Sequence, residues 1–257
     1  MPSTLELGEL TLTCRSRAGD QTWLKVQPPG IAFDVGRGTP RLAGVGRIFL
    51  THGHLDHALG LPFLLSVRRQ VDGAPLQVVC PRAIESALGE LVRAAERLDG
   101  REYEFEIRGV EAGERVEVGR DLEIEPFSTE HGVASLGYHL VRRRHRLRRD
   151  LVGAPQRELE RLSRRGEELN ESYEELWLSV TGDTSAQVFD LEPRLYESGI
   201  LVVECTFMAS GHEARARRFH HLHLADLVER RDRFANRALV LYHLSRRHRS
   251  VELETTA

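Results

Sequence analysis

At 257 residues, 40% of them hydrophobic, the chain is long enough for one large α/β domain with a substantial core. Its 36 basic and 39 acidic side chains leave a formal net charge of −3, which does not mark a general nucleic-acid binder, although such an average can hide a local patch. No apolar run approaches eighteen residues, so no membrane-spanning helix is expected.

The N-terminus, Met1 to Leu7, has neither the basic start nor the apolar stretch of a secretion signal. Leu5, Leu7, Leu10, Leu12 and Trp23, then the turn signal Pro28-Pro29-Gly30 and the run Ile31 to Gly36, predict a meander of short strands. The short apolar run Arg47-Ile48-Phe49-Leu50 reads as a buried strand, and Ala58 to Leu65 resumes an apolar helical pattern. Leu76 to Cys80 is another strand. Ile84, Leu88, Leu91, Val92, Ala95 and Leu98 fall at helical spacing. Tyr103, Phe105 and Ile107 alternate, as do Val116 with Val118 and Leu122 with Ile124. Cys14, Cys80 and Cys205 are far apart and include no CxxC, so they read as core thiols of a reducing compartment.

One segment differs in character. Val141 to Asp150 carries six arginines in ten residues, and Gln156 to Asn170 follows as a charged helical stretch with few apolar positions. Too little apolar surface is present for a core element, so the segment reads as a projecting arm or a solvated helix. The competing reading is a strand edge guarded from aggregation by charge. Since Lys25 is the lone lysine, the excess of arginine reflects base composition more than chosen phosphate contacts. Beyond the arm, three apolar runs each end in polar residues. Leu176 to Val180 leads into Thr181-Gly182-Asp183-Thr184, Leu201 to Val203 into Glu204, and Leu239 to Tyr242 into His243. Two strand-rich halves with helices between them, and no linker, predict an α/β fold with four αββα layers in a single domain over residues 1–257.

The chemistry concentrates in Thr51-His52-Gly53-His54-Leu55-Asp56-His57, a strand-to-helix loop with the spacing H-x-H-x-D-H. Two histidines one residue apart point the same way from extended backbone and suit one metal ion. Asp56 and His57 come after the turn and can face a second. Neutral imidazole and carboxylate are ligands that zinc accepts. The bland alternative is a polar loop that happens to be rich in histidine. His131, Asp183 and His243, each at a strand end, would complete a two-ion site, with Asp183 able to bridge.

These motifs resemble the metallo-β-lactamase superfamily, and within it the short form of the ribonuclease Z family, the tRNA 3′-processing endonucleases. The resemblance runs from about residue 31 to 248. It rests on the His52–His57 cluster with Gly60-Leu61-Pro62, on His131 with Ser135-Leu136-Gly137-Tyr138, and on Thr181-Gly182-Asp183-Thr184. It rests also on Glu204-Cys205-Thr206-Phe207, on His221-Leu222-His223 and on His243-Leu244-Ser245-Arg246-Arg247. It implies the metallo-β-lactamase αββα sandwich and two divalent metal ions, zinc foremost. His52, His54 and His131 would hold the first and Asp56, His57 and His243 the second, with Asp183 bridging. Asp56 would also act on the bridging water, and Glu204 with His221 would protonate the leaving oxygen. Ser245 and Arg247 would sit near the phosphate, and residues of about 140–176 would form a short basic arm or insertion whose Arg144, Arg146 and Arg148 would meet tRNA. The resemblance further implies a homodimer whose partner is a tRNA precursor, and the lack of a secretion signal with unpaired core thiols predicts a cytoplasmic protein.

The chain departs from the family pattern in places. His248 stands where an aromatic residue closes the last motif, and His220 stands where a small residue precedes the acid histidine. The arm is short, and the chain ends fourteen residues after His243, so a clipped last helix is expected. The rival readings are a phosphodiesterase for small or cyclic phosphoesters, a β-lactamase or thioesterase on the same fold, and a non-catalytic metal-binding scaffold.

Overall fold

The computed structural model describes residues 1–69 and 74–247, so His248 and the chain end lie outside the described residues. The predicted meander is present as β1 (Ser3–Leu7), β2 (Leu10–Arg17) and β3 (Gln21–Gln27), paired antiparallel in sequence order. β4 (Ile31–Phe33) joins β3 antiparallel, and β5 (Arg47–Phe49) joins β4 parallel. After α1 (Leu55–Ala58) and α2 (Leu61–Arg68) come β6 (Leu76–Pro81), α3 (Glu85–Asp99) and β7 (Phe105–Val110). The first sheet therefore runs β1-β2-β3-β4-β5-β6-β7.

The second sheet contains β8 (Val116–Gly119), β9 (Leu122–Ser128), β10 (Leu136–Leu147), β11 (Asn170–Val180), β12 (Ile200–Glu204) and β13 (Ala238–Tyr242). Its order is β13-β12-β11-β10-β9-β8, parallel from β11 to β13 and antiparallel elsewhere. The remaining helices are α4 (Gln156–Arg164), α5 (Val188–Leu191), α6 (Glu213–Arg218) and α7 (Leu224–Glu229).

Three apolar clusters define four layers. Leu10, Leu12, Val26, Phe33 and Phe49 of the first sheet face Tyr138, Leu140, Trp177, Leu178 and Val202 of the second. Leu61, Leu64, Leu65, Leu88 and Val92 of α2 and α3 cover the outer face of the first sheet. Val188, Phe189, Leu195 and Leu227 cover the second. Each fully buried side chain of this kind stabilises the fold by roughly 1.5–3 kcal/mol relative to exposure. The αββα expectation thus holds. Cys14, Cys80 and Cys205 are free and buried, and burial pushes their thiols up to about 11, 12 and 12, which makes them the inert core thiols expected.

The basic run is the outer half of β10, paired with the outer half of β11. Arg142 faces Glu175, Arg143 faces Glu174 and Arg146 faces Glu171 across this hairpin. The predicted helix from Gln156 ends earlier than expected, at Arg164. Gly166 there takes φ 77°, and its N–H and that of Glu167 bond back to the Ser163 and Leu162 carbonyls at 2.9 and 3.1 Å. A left-handed glycine with these two bonds closes a helix, and the following residues return as β11.

Candidate metal centre

The strands of both sheets deliver their ends to one place. β5 leads into the loop of His52 and His54, and α1 carries Asp56 and His57. His131 follows β9, Asp183 follows β11, Glu204 ends β12 and His243 follows β13. Polar residues at the ends of buried strands are where such a sheet presents a site.

All seven sequence-predicted ligands converge. His52, His54, His131 and Asp183 each place one ligand atom within 4.8 Å of the others, and so do Asp56, His57 and His243. His54 Nδ1 lies 3.2 Å from His131 Nε2, and His57 Nε2 lies 3.2 Å from His243 Nε2. Nitrogens bound about 2.0–2.1 Å from one tetrahedral zinc ion stand about 3.3 Å apart, so these spacings suit shared ions. Asp183 Oδ2 lies 3.8, 3.5 and 3.3 Å from the Nε2 atoms of His52, His57 and His243, which puts it between the two groups.

The buried groups of the cluster are satisfied on their outer sides and not on their inner sides. Four of the five imidazoles are held by the nitrogen facing away from the centre, a pattern that fixes tautomer and orientation in metal sites. His52 Nδ1 meets Thr51 Oγ1 at 2.9 Å, His57 Nδ1 meets Asp34 Oδ2 at 2.8 Å and His243 Nδ1 meets Thr206 Oγ1 at 2.9 Å. His131 Nδ1 donates to the His220 carbonyl at 3.1 Å. The inward Nε2 of His52 and Oδ1 of Asp183 are buried without any hydrogen-bond partner. Orphaned buried donors and acceptors of ligand type are what a pair of cations would satisfy, so the residues fit the implied metals.

Electrostatics agree. Burial holds His52, His54 and His131 below the usual histidine range, in the neutral form that ligates metal. Burial opposes charge on His57 as well, but Asp183 and Asp34 outweigh it and hold the imidazole well above its ordinary value. Burial likewise opposes ionisation of Asp183 and Asp56. His243 and His57 outweigh it and hold both carboxyls well below the usual carboxylate range. A pocket that draws a proton onto His57 draws a divalent cation by the same field.

Beside the cluster, His221 Nδ1 lies 2.7 Å from Glu204 Oε1. The Glu204 carboxylate is fully buried and accepts from the Thr184 N–H at 2.9 Å, the Thr206 N–H at 3.0 Å and Thr206 Oγ1 at 2.7 Å. Burial works against the imidazolium, but Glu204 raises His221 to about 9. The neighbouring histidines are occupied elsewhere. His223 caps α7 through Nδ1 and reaches the Ala209 carbonyl through Nε2 at 3.0 Å, while His220 pairs with Glu130.

A cavity of about 490 Å³ opens here, lined by His54, His131, His221, Phe207, Phe219 and Arg215 together with Ser245 and Arg247. The arm arginines lie away from it. Arg146 and Arg148 pair with Glu171 and Asp150 at 2.7 and 2.6 Å, and Arg144 lies 3.4 Å from Glu175. Thr51 and Thr206 stand inside the quoted motifs but were given no role of their own, and sequence reasoning missed Asp34 and Glu130.

Comparison with known proteins agrees with this geometry. A model described as a beta-lactamase superfamily domain matches residues 32–153. A ribonuclease Z of Gemmatimonas aurantiaca is 31% identical over 247 residues, covering 85% of this chain and 77% of that protein. A tRNase Z of Arabidopsis thaliana is 28% identical over 242 residues, covering 93% and 86%. Among solved structures, the metallo-beta-lactamase fold protein YhfI from Bacillus subtilis superposes with a TM-score of 0.64 at 15% identity, covering 94% of this chain and 88% of that one. The human short-form tRNase Z superposes with a TM-score of 0.57 at 17% identity, covering 92% and 86%.

Proposed function

The chain belongs to the ribonuclease Z family of metal-dependent hydrolases, and from that premise we propose that it is an endoribonuclease removing the 3′ trailer from tRNA precursors. The observation that carries the reading is the convergence of seven ligand groups beside the His221–Glu204 pair, with His54, His131 and His221 lining one cavity. A non-catalytic scaffold has no use for such an acid.

His52, His54 and His131 would hold one ion, and Asp56, His57 and His243 the other, with Asp183 shared. Zinc suits this mixed imidazole and carboxylate set. Two bound divalent ions lower the pKa of a water and offset the charge of a phosphoryl transition state. The chain's own residues do the rest. Asp56, fixed by the Gly19 N–H at 2.8 Å, presents a carboxylate that can take a proton from the attacking water. His221, held as imidazolium by Glu204, carries its free proton on Nε2 and can deliver it to the leaving 3′-oxygen. Ser245 and Arg247 line the same cavity, where a hydroxyl and a guanidinium suit phosphate oxygens.

The wider assembly is part of the same proposal. The hairpin and α4 within residues 140–176 form the short basic arm, with Arg144, Arg146 and Arg148 offered to the tRNA backbone. A homodimer would be sealed by Leu55, Leu59 and Phe63, which are exposed at four-residue spacing beside the site. The enzyme would act in the cytoplasm, where buried free thiols stay reduced. No helix among the described residues is long and apolar enough to cross a membrane.

One observation favours a second reading, a phosphodiesterase for small or cyclic phosphoesters. The arm arginines answer acidic groups of their own chain, so they are poorly free for RNA phosphates. The experiment that separates the readings incubates the protein, and Asp56→Ala beside it, with a tRNA precursor bearing a 3′ trailer. A single cut at the end of the tRNA body, lost in the variant, supports tRNA processing. Intact precursor, with a simple phosphodiester still hydrolysed, sinks it and leaves the second reading.

A further inference from the structure

We propose that Glu130 and His220 form a clasp that positions the metal-facing imidazole of His131 by tying its loop to the loop of the acid His221. The inference rests on the two-ion reading of the site. It begins with a backbone anomaly. His220 takes φ 54°, in the left-handed region that side chains other than glycine enter at a cost in strain. Strain of this kind persists where surrounding contacts over-determine it, and here two contacts do so. The His220 ring pairs through Nδ1 with the Glu130 carboxylate. The His220 carbonyl, aimed by the left-handed turn, accepts from His131 Nδ1 at 3.1 Å. Consecutive residues 130 and 131 thus grip the side chain and the backbone of the same residue.

Glu130 is itself anchored to the bridging carboxylate's loop. Its N–H donates to Thr184 Oγ1 at 3.1 Å, and its carbonyl accepts from the Ser185 N–H at 2.9 Å. The Thr184 N–H in turn donates at 2.9 Å to Glu204 Oε1, the same oxygen that holds His221 Nδ1 at 2.7 Å. A closed circuit therefore runs from Glu130 through His220 to His221, on to Glu204 and Thr184, and back to Glu130. It fixes His131, Asp183 and His221 relative to one another. The His131 and His221 ring centroids stand 5.1 Å apart within it. The clasp is not core packing, because the His220 side chain is 44% exposed and that of Glu130 27% exposed. Its function is orientation. His131 must present Nε2 beside His54 Nδ1, and a ligand turned from its partner loses metal affinity.

The test uses the full chain and stepwise zinc binding measured by competition with a chromophoric chelator. The variants are Glu130→Gln, which keeps the shape and removes the charge, and His220→Asn, which tolerates the left-handed backbone but cannot make the same pair. Each is expected to weaken one of the two ions about 10-fold and leave the other unchanged. The double variant is expected to be no weaker than either single one, as for residues acting as a unit. The metal-free melting temperature should stay within a few degrees of the parent, which separates positioning from a fold defect. If both variants bind both ions as the parent does, or weaken both ions equally, the clasp is overturned while the two-ion reading stands. A parent protein that binds no zinc overturns both.

Discussion

At the scale of single residues, the site depends on side chains that never face the substrate. Asp34 is the clearest. It is buried at φ 57°, accepts from the Thr51 N–H and hydroxyl at 2.8 and 2.9 Å, and meets His57 Nδ1 at 2.8 Å. It fixes the tautomer that turns His57 Nε2 inward and raises the basicity of that nitrogen. Under the proposed two-ion assignment, Asp34→Asn should therefore weaken the ion at Asp56, His57 and His243 by about 10- to 100-fold, with the ion at His131 little affected. Isothermal titration with zinc would read the two steps separately, and equal affinities in variant and parent would refute the role. The converging residues His52, His54, Asp56 and His57 were legible because H-x-H-x-D-H is a local pattern. Asp34 was not, because its part depends on a left-handed backbone and on a partner 23 residues away. The same applies to His220, whose meaning lies in Glu130, 90 residues distant. Three of the four left-handed residues other than glycine among those described, Asp34, His220 and His243, belong to the cluster or contact its histidines. Such strain is kept where surrounding structure and function hold it.

At the scale of elements, the β10–β11 hairpin shows where periodicity stops informing. Six arginines in ten residues announce charge but not its neutralisation, because strand register is set by pairing across a turn of more than twenty residues. Once Arg142, Arg143 and Arg146 face Glu175, Glu174 and Glu171, the outer hairpin is a ladder of opposite charges. Exposed pairs of this kind contribute less than about 1 kcal/mol each, so Arg146→Ala should leave thermal unfolding almost unchanged. Its effect on RNA is the informative one. Should the arm read phosphates, replacing residues 148–169 by a short Gly-Ser turn should weaken precursor binding and flatten its salt dependence. Hydrolysis of a small phosphodiester should be untouched. Filter binding over a salt series would decide, and an unchanged slope would remove the arm from recognition. The α1–α2 corner makes a separate claim. Leu55, Leu59 and Phe63 are 65%, 44% and 48% exposed, large apolar side chains of the sort that mark a contact surface where they gather. If the proposed homodimer forms through this corner, Phe63→Asp should turn it into a monomer by light scattering with little change in metal content.

At the scale of the whole molecule, the site is a seam between two sheets. His52, His54, Asp56 and His57 come from the first and His131, Asp183 and His243 from the second, so ligand spacing depends on how the sheets are docked. That docking was legible only as a layer order. Its set point is tertiary and shows in Tyr138 of β10, whose hydroxyl donates to the Leu50 carbonyl at 2.7 Å, immediately before the His52 loop. Its ring packs against Phe33 and Phe49 at 5.8 and 5.5 Å between centroids. Ions bound across the seam would hold the sheets together only in the folded chain, and each stabilises it by about 2.7 kcal/mol at a free concentration 100 times its dissociation constant. Chelation should therefore lower the melting temperature, and added zinc should restore it. Tyr138→Phe leaves a buried carbonyl unpaired and should cost about 1–3 kcal/mol. If the hydroxyl sets the docking that spaces the ligands, the zinc-induced rise in melting temperature should also shrink in this variant. A full zinc-induced rise, with the parent's increment intact, would mean that the aromatic packing alone fixes the sheets and that the hydroxyl contributes stability without shaping the site.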